Sequence, residues 1–259
     1  MDLGIAGKKA LVCGASAGLG FACAQALVQE GVNVLIVART EAPLQQAATR
    51  LRALGAGGVM ALAADVTTEA GRASIFAAQS DFDMVVTNAG GPAPGDFRQW
   101  DRDTWVRAIE ANMLAPIEII KATIDGMMAR GFGRIVNITS SAVKSPVDGL
   151  GLSNGARSAL TGFVAGLARS TVARGVTINN LLPGTFDTAR LAGNFAAAAR
   201  RAGRSVEQVV ADRLAKHPAH RFGRPEELGH TCAYLCSVHA GYINGQSILM
   251  DGGSFPGVF

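Results

Sequence analysis

Lys8-Lys-Ala-Leu-Val-Cys13-Gly14-Ala-Ser16-Ala-Gly18-Leu19-Gly20 is the stretch from which the rest of the chain can be read. Residues 8–13 are an apolar run that predicts a strand. The glycines at 14, 18 and 20 predict a turn, residues 21–30 a helix, and residues 33–38 a second apolar strand. Strand, glycine turn, helix and strand in that order make a βαβ unit. Glycine lets backbone come close to a pyrophosphate without a Cβ in the way, and the free N–H groups at a helix start face the anion. The spacing G-x-x-x-G-x-G differs from the commonest dinucleotide fingerprint, G-x-G-x-x-G. A plain strand-to-helix turn is therefore the alternative reading of the glycines alone. Arg39 favours the nucleotide, because it ends the second strand where a ribose would lie.

Beyond Arg39 helical and strand patterns alternate. Helix 41–54, strand 59–64, helix 68–79, strand 82–87, helix 103–130, strand 134–139, helix 153–173 and strand 177–182 follow one another through short glycine-marked joints. Helix 225–237 and strand 246–250 close the chain. Strands this apolar, without clean alternation, suit a parallel sheet covered on both faces. The expected fold is α/β: a doubly wound Rossmann sheet of seven parallel strands, in one dinucleotide-binding domain over residues 1–259 with no linker or repeat. Residues 186–224 break the rhythm with an Ala-rich helical insertion at the ligand edge. That is the place for a substrate-covering lid, or equally for a packing helix pair that does not move.

Composition narrows the function classes. Apolar residues make up 49% of the 259, yet no run approaches the roughly 18 needed for a membrane span. The N-terminus lacks the basic and apolar regions of a leader, so a cytoplasmic protein is the expectation. The net charge is +4 and the basic residues are scattered, which gives no sign of a nucleic-acid partner. Cys13, Cys23, Cys232 and Cys236 show no C-x-x-C spacing, and no His or Cys neighbours complete a tetrahedral set, so reduced thiols and no metal are expected.

Over about residues 6–254 the chain resembles the short-chain dehydrogenase/reductase family, in its 3-oxoacyl-carrier-protein reductase branch. The resemblance rests on several segments in order: Cys13 to Gly20, Asp65-Val66, Asn88-Ala89-Gly90-Gly91, Asn112, Arg134-Ile-Val-Asn-Ile-Thr-Ser140-Ser141, Pro183-Gly184, Arg224-Pro225-Glu226-Glu227, and Tyr242-Ile-Asn-Gly245-Gln246 leading to Asp251-Gly252-Gly253. It implies a cofactor site made of Gly14, Ser16, Gly18, Leu19, Gly20, Arg39, Thr40, Asp65, Val66, Asn88, Ala89, Gly90, Arg157, Pro183, Gly184, Thr185 and Thr188. Within that set Asp65-Val66 would meet the adenine, Asn88 to Gly90 the ribose, and Thr185 and Thr188 the nicotinamide carboxamide. It also implies a homotetramer, in keeping with the surplus of apolar residues on helices 103–130 and 153–173. A carboxylate usually ends the second strand of an NAD enzyme; Arg39-Thr40 stands there instead, so NADP(H) is the expected cofactor.

The chemistry is where the sequence departs from that family. Its pattern is Ser, then Tyr thirteen residues on, then Lys four further, with Asn as the fourth member. The Tyr hydroxyl gives a proton to the carbonyl oxygen, the Lys lowers the Tyr pKa and holds the ribose, and the Ser polarises the carbonyl. Counting from Ser140 reaches Ser153 and Arg157. The candidate catalytic set is thus Asn112, Ser140, Ser153 and Arg157. Both tyrosines, Tyr234 and Tyr242, lie near the C-terminus. A serine alcohol is a poorer acid than a phenol and reaches less far, while an arginine gives up no proton at ordinary pH. Lys144, Asp148, His217 and His220 are the other possible acids, each read first as solvent-facing. Two functions follow: an NADPH-dependent oxidoreductase acting on a small or acyl-type ketone through an altered acid step, or an NADP(H)-binding sensor or assembly partner without turnover.

Overall fold

The computed structural model describes residues 1–258. Its elements are β1 (Lys9–Cys13), α1 (Gly18–Gln29), β2 (Asn33–Ala38), α2 (Glu41–Arg52), β3 (Val59–Ala63), α3 (Glu69–Ala78), β4 (Met84–Thr87), α4 (Arg102–Ile109), α5 (Ala115–Arg130), β5 (Gly133–Ile138), α6 (Gly151–Thr171), β6 (Val176–Pro183), α7 (Ala189–Ala202), α8 (Val206–Ala215), α9 (Pro225–Cys236) and β7 (Ser247–Met250). The seven strands form one sheet in the order β3-β2-β1-β4-β5-β6-β7, every neighbouring pair parallel. The expected seven-stranded doubly wound fold is what forms. The order reverses between β1 and β4, and that switch point sets the ligand crevice at the carboxyl ends of the strands.

Apolar side chains fill both faces. Ala10 and Val12 of β1 join Leu27, Leu44, Leu228 and Cys232 on one face. Leu11 and Cys13 join Ile119, Met127, Leu160 and Val164 on the other. The period of two along β1 therefore feeds two cores at once, which is why the strands lack a polar face.

Three features depart from the expectation. The first is inside helix 103–130, which is interrupted at Glu110–Leu114 by a π-type turn centred on Asn112. Pro116 has no N–H for the carbonyl four residues back, that of Asn112, and its ring crowds that carbonyl, so the ladder slips by one residue. The second is a buried polar row across the sheet. Thr87 Oγ1 donates to Asn137 Oδ1 (2.7 Å), Asn137 Nδ2 to Asn180 Oδ1 (3.1 Å), and Asn180 Nδ2 to Ser247 Oγ (3.3 Å), each step linking register partners on adjacent strands. The third is His217, read as solvent-facing but only 5% exposed: the loop after α8 presses its ring against Gly252. His220 and Asp148 are exposed, as expected, and Lys144 is half-buried.

Residues 186–224 form an excursion whose two ends are pinned together. Phe186 and Gly223 make a parallel bridge, with Asp187 N–H donating to Gly223 O (2.8 Å) and Gly223 N–H to Thr185 O (3.0 Å). Between the pins lie α7, capped by Thr188, and α8, opened by a reciprocal Ser205–Gln208 capping box.

Candidate active site

The start of α1 is built to be left open. Its N-cap, Ala17, has no side chain to accept a backbone N–H, and no acidic residue lies in the first turn. By contrast α3, α4, α7 and α8 each take a Thr, Asp or Ser oxygen at the same place. Bare amides at a helix start favour an anion. The turn cannot carry side chains: Gly14 holds φ +60° and Gly18 φ +59°, and a Cβ on Gly20 would stand 2.3 Å from the Gly14 carbonyl oxygen. Asn88, at the end of β4, braces this turn by donating from Nδ2 to Gly14 O (3.2 Å), and a Cβ on Gly14 would meet that same nitrogen at 2.7 Å. The backbone here has the shape of a pyrophosphate cradle.

The other proposed cofactor residues line the same edge. Arg39 and Thr40 follow β2, both exposed, and Arg39 makes no ion pair among the described residues. Asp65 follows β3 and accepts from the N–H (3.0 Å) and Oγ1 (2.8 Å) of Thr67, which fixes the Asp65-Val66 corner. Ala89 and Gly90 continue from Asn88. Pro183 ends β6, Gly184 passes so close to Asp251 that a Cβ would stand 2.7 Å from its Cβ, and Thr185 and Thr188 follow. Thr188 Oγ1 accepts from Leu191 N–H (3.3 Å) and faces Gly18 across the crevice, its methyl 3.7 Å from where a Cβ on Gly18 would stand. An unpaired cation, bare amides and a crowded glycine backbone together fit a phosphorylated dinucleotide.

The start of α6 is organised the opposite way. Ser153 and Arg157 are each 7% exposed and face one another, Arg157 Nε donating to Ser153 Oγ (3.2 Å). Arg157 Nη1 donates to the carbonyls of Ile138 (2.9 Å) and Thr139 (2.8 Å) at the end of β5, and Nη2 to Ala89 O (3.3 Å) beyond β4. These four bonds use all but one of the five N–H groups of a guanidinium. Burial, and secondly the charge of Arg190, draws the Arg157 pKa down to about 10, which leaves it a cation at neutral pH.

Asn112 lies beside this group. Its Nδ2 donates to Ala108 O (3.1 Å), and its Oδ1 is buried without a partner among the described residues. Asn112, Arg157, Asn88 and Ala89 share a cavity of about 10 Å³, the room one water needs. Ser140 stands apart: its Oγ accepts from Ala142 N–H (3.1 Å) and caps the short turn Ser141–Val143, and it bonds to none of Asn112, Ser153 or Arg157. A second cavity of about 390 Å³ opens beside them, walled by Gly90, Pro92, Trp100, Arg107, Asn112 and Leu152. Sequence reasoning missed Arg190, whose Nη2 reaches from the first turn of α7 to Gly91 O (3.0 Å). The available signal was a cation where a helix dipole disfavours one.

The chain matches the family model described as enoyl-(acyl carrier protein) reductase over residues 14–254. It is 31% identical to the 3-oxoacyl-[acyl-carrier-protein] reductase FabG of Vibrio cholerae, covering 98% of this chain and 99% of that one. L-sorbose reductase from Gluconobacter frateurii, solved with NADPH and L-sorbose, superposes with a TM-score of 0.94 at 28% identity over the full length of both chains. YwfH, an NADPH-dependent reductase involved in bacilysin biosynthesis, does so with a TM-score of 0.92 at 26% identity over 98% of this chain and all of that one. With the βαβ cradle, the sheet order and these matches in agreement over nearly every residue, the chain belongs to the short-chain dehydrogenase/reductase family.

Proposed function

We propose that this protein is an NADP(H)-dependent oxidoreductase that reduces the ketone of a small or acyl-type substrate through an altered proton-delivery site. The observation that carries the reading is the open start of α1 next to an unpaired Arg39. Gly14, Ser16, Gly18, Leu19 and Gly20 would hold the pyrophosphate, Arg39 and Thr40 the 2′-phosphate, Asp65 and Val66 the adenine, Asn88 to Gly90 the ribose, and Pro183 to Thr188 the nicotinamide. When bound, that cofactor supplies the hydride. The NADPH complex of L-sorbose reductase and the NADPH dependence of YwfH support the same choice.

The protein's own residues then have to steady and protonate the carbonyl oxygen. Ser140 can donate to that oxygen. Ser153 accepts from Arg157 and so keeps its own proton free to donate, but an alcohol acidified by a single 3.2 Å bond remains a weak acid. Arg157 acts as a clamp joining the ends of β4 and β5, in place of a ribose-holding lysine. Residues 186–224, hinged at the Phe186–Gly223 bridge, would cover the substrate. Exposed Val106, Leu114 and Phe163 on the α4–α6 side support assembly of further copies. The internal pairing of four of the five N–H groups of Arg157 favours a second reading, an NADP(H)-binding protein without turnover.

Ketone-dependent NADPH oxidation separates the two. Loss of a general acid typically removes about 10²–10⁴ in rate. Wild-type protein is therefore expected to turn over generic ketones slowly on the first reading and not at all on the second, and Ser153→Tyr with Arg157→Lys to raise the rate, each single change helping less. Rapid wild-type reduction with a slower double variant would mean a separate proton donor, with Lys144, Asp148 or a water on Ser140 next to be substituted.

A further inference from the structure

The loop Gly90-Gly91-Pro92-Ala93-Pro94 leaves β4 and runs past three arginines. Arg157 lies against it through Ala89 O, and Arg190 crosses from α7 to Gly91 O. A Cβ built on Gly91 would stand 2.9 Å from Arg190 Nη2 and 3.5 Å from Arg157 Nη2, so both guanidiniums close on the same small space. Arg107 of α4 lines the 390 Å³ cavity together with Gly90 and Pro92.

No carboxylate neutralises this group. Among the described residues none of the three arginines forms an ion pair. Of the acids in the flanking segments, Asp96 pairs with Arg98, Asp148 accepts from Gly149 N–H, and Asp187 is exposed. Arg190 also stands at the positive end of the 14-residue helix α7, which opposes a cation there. Two guanidiniums face one space, Arg157 7% exposed with its pKa lowered first by burial and then by Arg190, and Arg190 itself exposed; this gathers positive charge with no counter-ion among the described residues. Donors remain for one: Arg190 spends a single N–H on Gly91, and Arg157 keeps one.

We propose that Arg157 and Arg190 form an anion receptor over Gly91, and that the substrate is an oxo acid whose carboxylate docks there with its ketone beside Gly90. This rests on the reading of the chain as a reductase, with the 390 Å³ cavity walled by Gly90 and Pro92 taken as the substrate space. The phosphates of the cofactor are the other source of the same chemistry, and the test separates the two.

The test is calorimetric titration of acetoacetate and 2-oxobutyrate, each against its methyl ester, onto protein saturated with NADP⁺, where no reduction can occur. Wild type should bind the acids at least about tenfold more tightly than the esters, as expected for a charge-assisted contact. Arg190→Gln should lose roughly ten- to a hundredfold in acid affinity, with Arg190→Lys recovering part of it and NADP⁺ affinity unchanged. Equal binding of acids and esters, no binding of either, or a loss in Arg190→Gln that falls on NADP⁺ instead would overturn the receptor. NADPH turnover is measured alongside. Acid binding that depends on Arg190 without turnover supports the receptor and defeats the reductase reading. Turnover of acids and esters alike, with KM unmoved by Arg190→Gln, does the reverse.

Discussion

The βαβ opening and the start of α6 lie on the same carboxyl edge of the sheet, yet they treat their hydrogen-bonding groups in opposite ways. At α1 the side chain of the N-cap residue caps no amide, the first turn carries no acid, and Arg39 is exposed with no ion-pair partner among the described residues. At α6 the cation is buried, and four of its donors end on Ser153 and three backbone carbonyls. Groups left unsatisfied at a surface await a ligand, whereas groups satisfied from within hold the fold together. On one edge, then, the start of α1 is open to a ligand, while Arg157 is a structural tie.

Removing that tie should give the largest effect. Arg157→Met leaves the carbonyls of Ile138, Thr139 and Ala89 short of a donor, and urea unfolding should show a loss of about 1–3 kcal/mol with an unchanged m-value. An unchanged midpoint would mean that the buried charge costs as much as its bonds contribute. On the open side, Arg39→Asp should move the fluorescence-titrated preference from NADPH toward NADH by about tenfold to a hundredfold, or roughly 1.4–2.7 kcal/mol. Wild-type protein that already binds NADH more tightly would remove the role given to Arg39.

The smallest effect lies away from both regions, at the start of α9. Arg221 hydrogen-bonds Glu227, and with the Arg224 N–H draws its pKa from 4.5 down to about 2. A carboxyl with a lowered folded-state pKa adds stability above its unfolded value, and that stability is lost as pH falls through the folded value. Glu227→Gln should accordingly flatten the pH dependence of unfolding between about 4.5 and 2, by a small amount because the pair is solvent-screened. A slope that persists in the variant would assign it to other carboxylates.

The element order was legible because apolar runs and glycine joints follow directly from a sheet buried on both faces. The cradle was legible for a related reason: Gly14, Gly18 and Gly20 act through local backbone, which the sequence spells out. Other features needed the tertiary fold. Thr87, Asn137, Asn180 and Ser247 are polar residues within largely apolar strands, and only the register makes them a row. Pro116 is a local sign, visible in the sequence, that helix 103–130 slips at Asn112. Ser153 and Arg157 could be picked out by counting along the chain from Ser140, but the carbonyls that capture Arg157 lie 18, 19 and 68 residues away. Arg190 is hidden for the same reason, since Gly91 is 99 residues distant.

Stopped-flow fluorescence of the wild-type protein mixed with NADPH and a saturating ketone, acetoacetate or its methyl ester, reads both sides of the comparison in one trace. A fast rise in nicotinamide emission reports binding, and a later decay reports oxidation. The predicted trace has a full binding phase followed by a decay slower by about 10²–10⁴ than general-acid catalysis would give. A weak or absent binding phase, or a decay within milliseconds, would contradict the account.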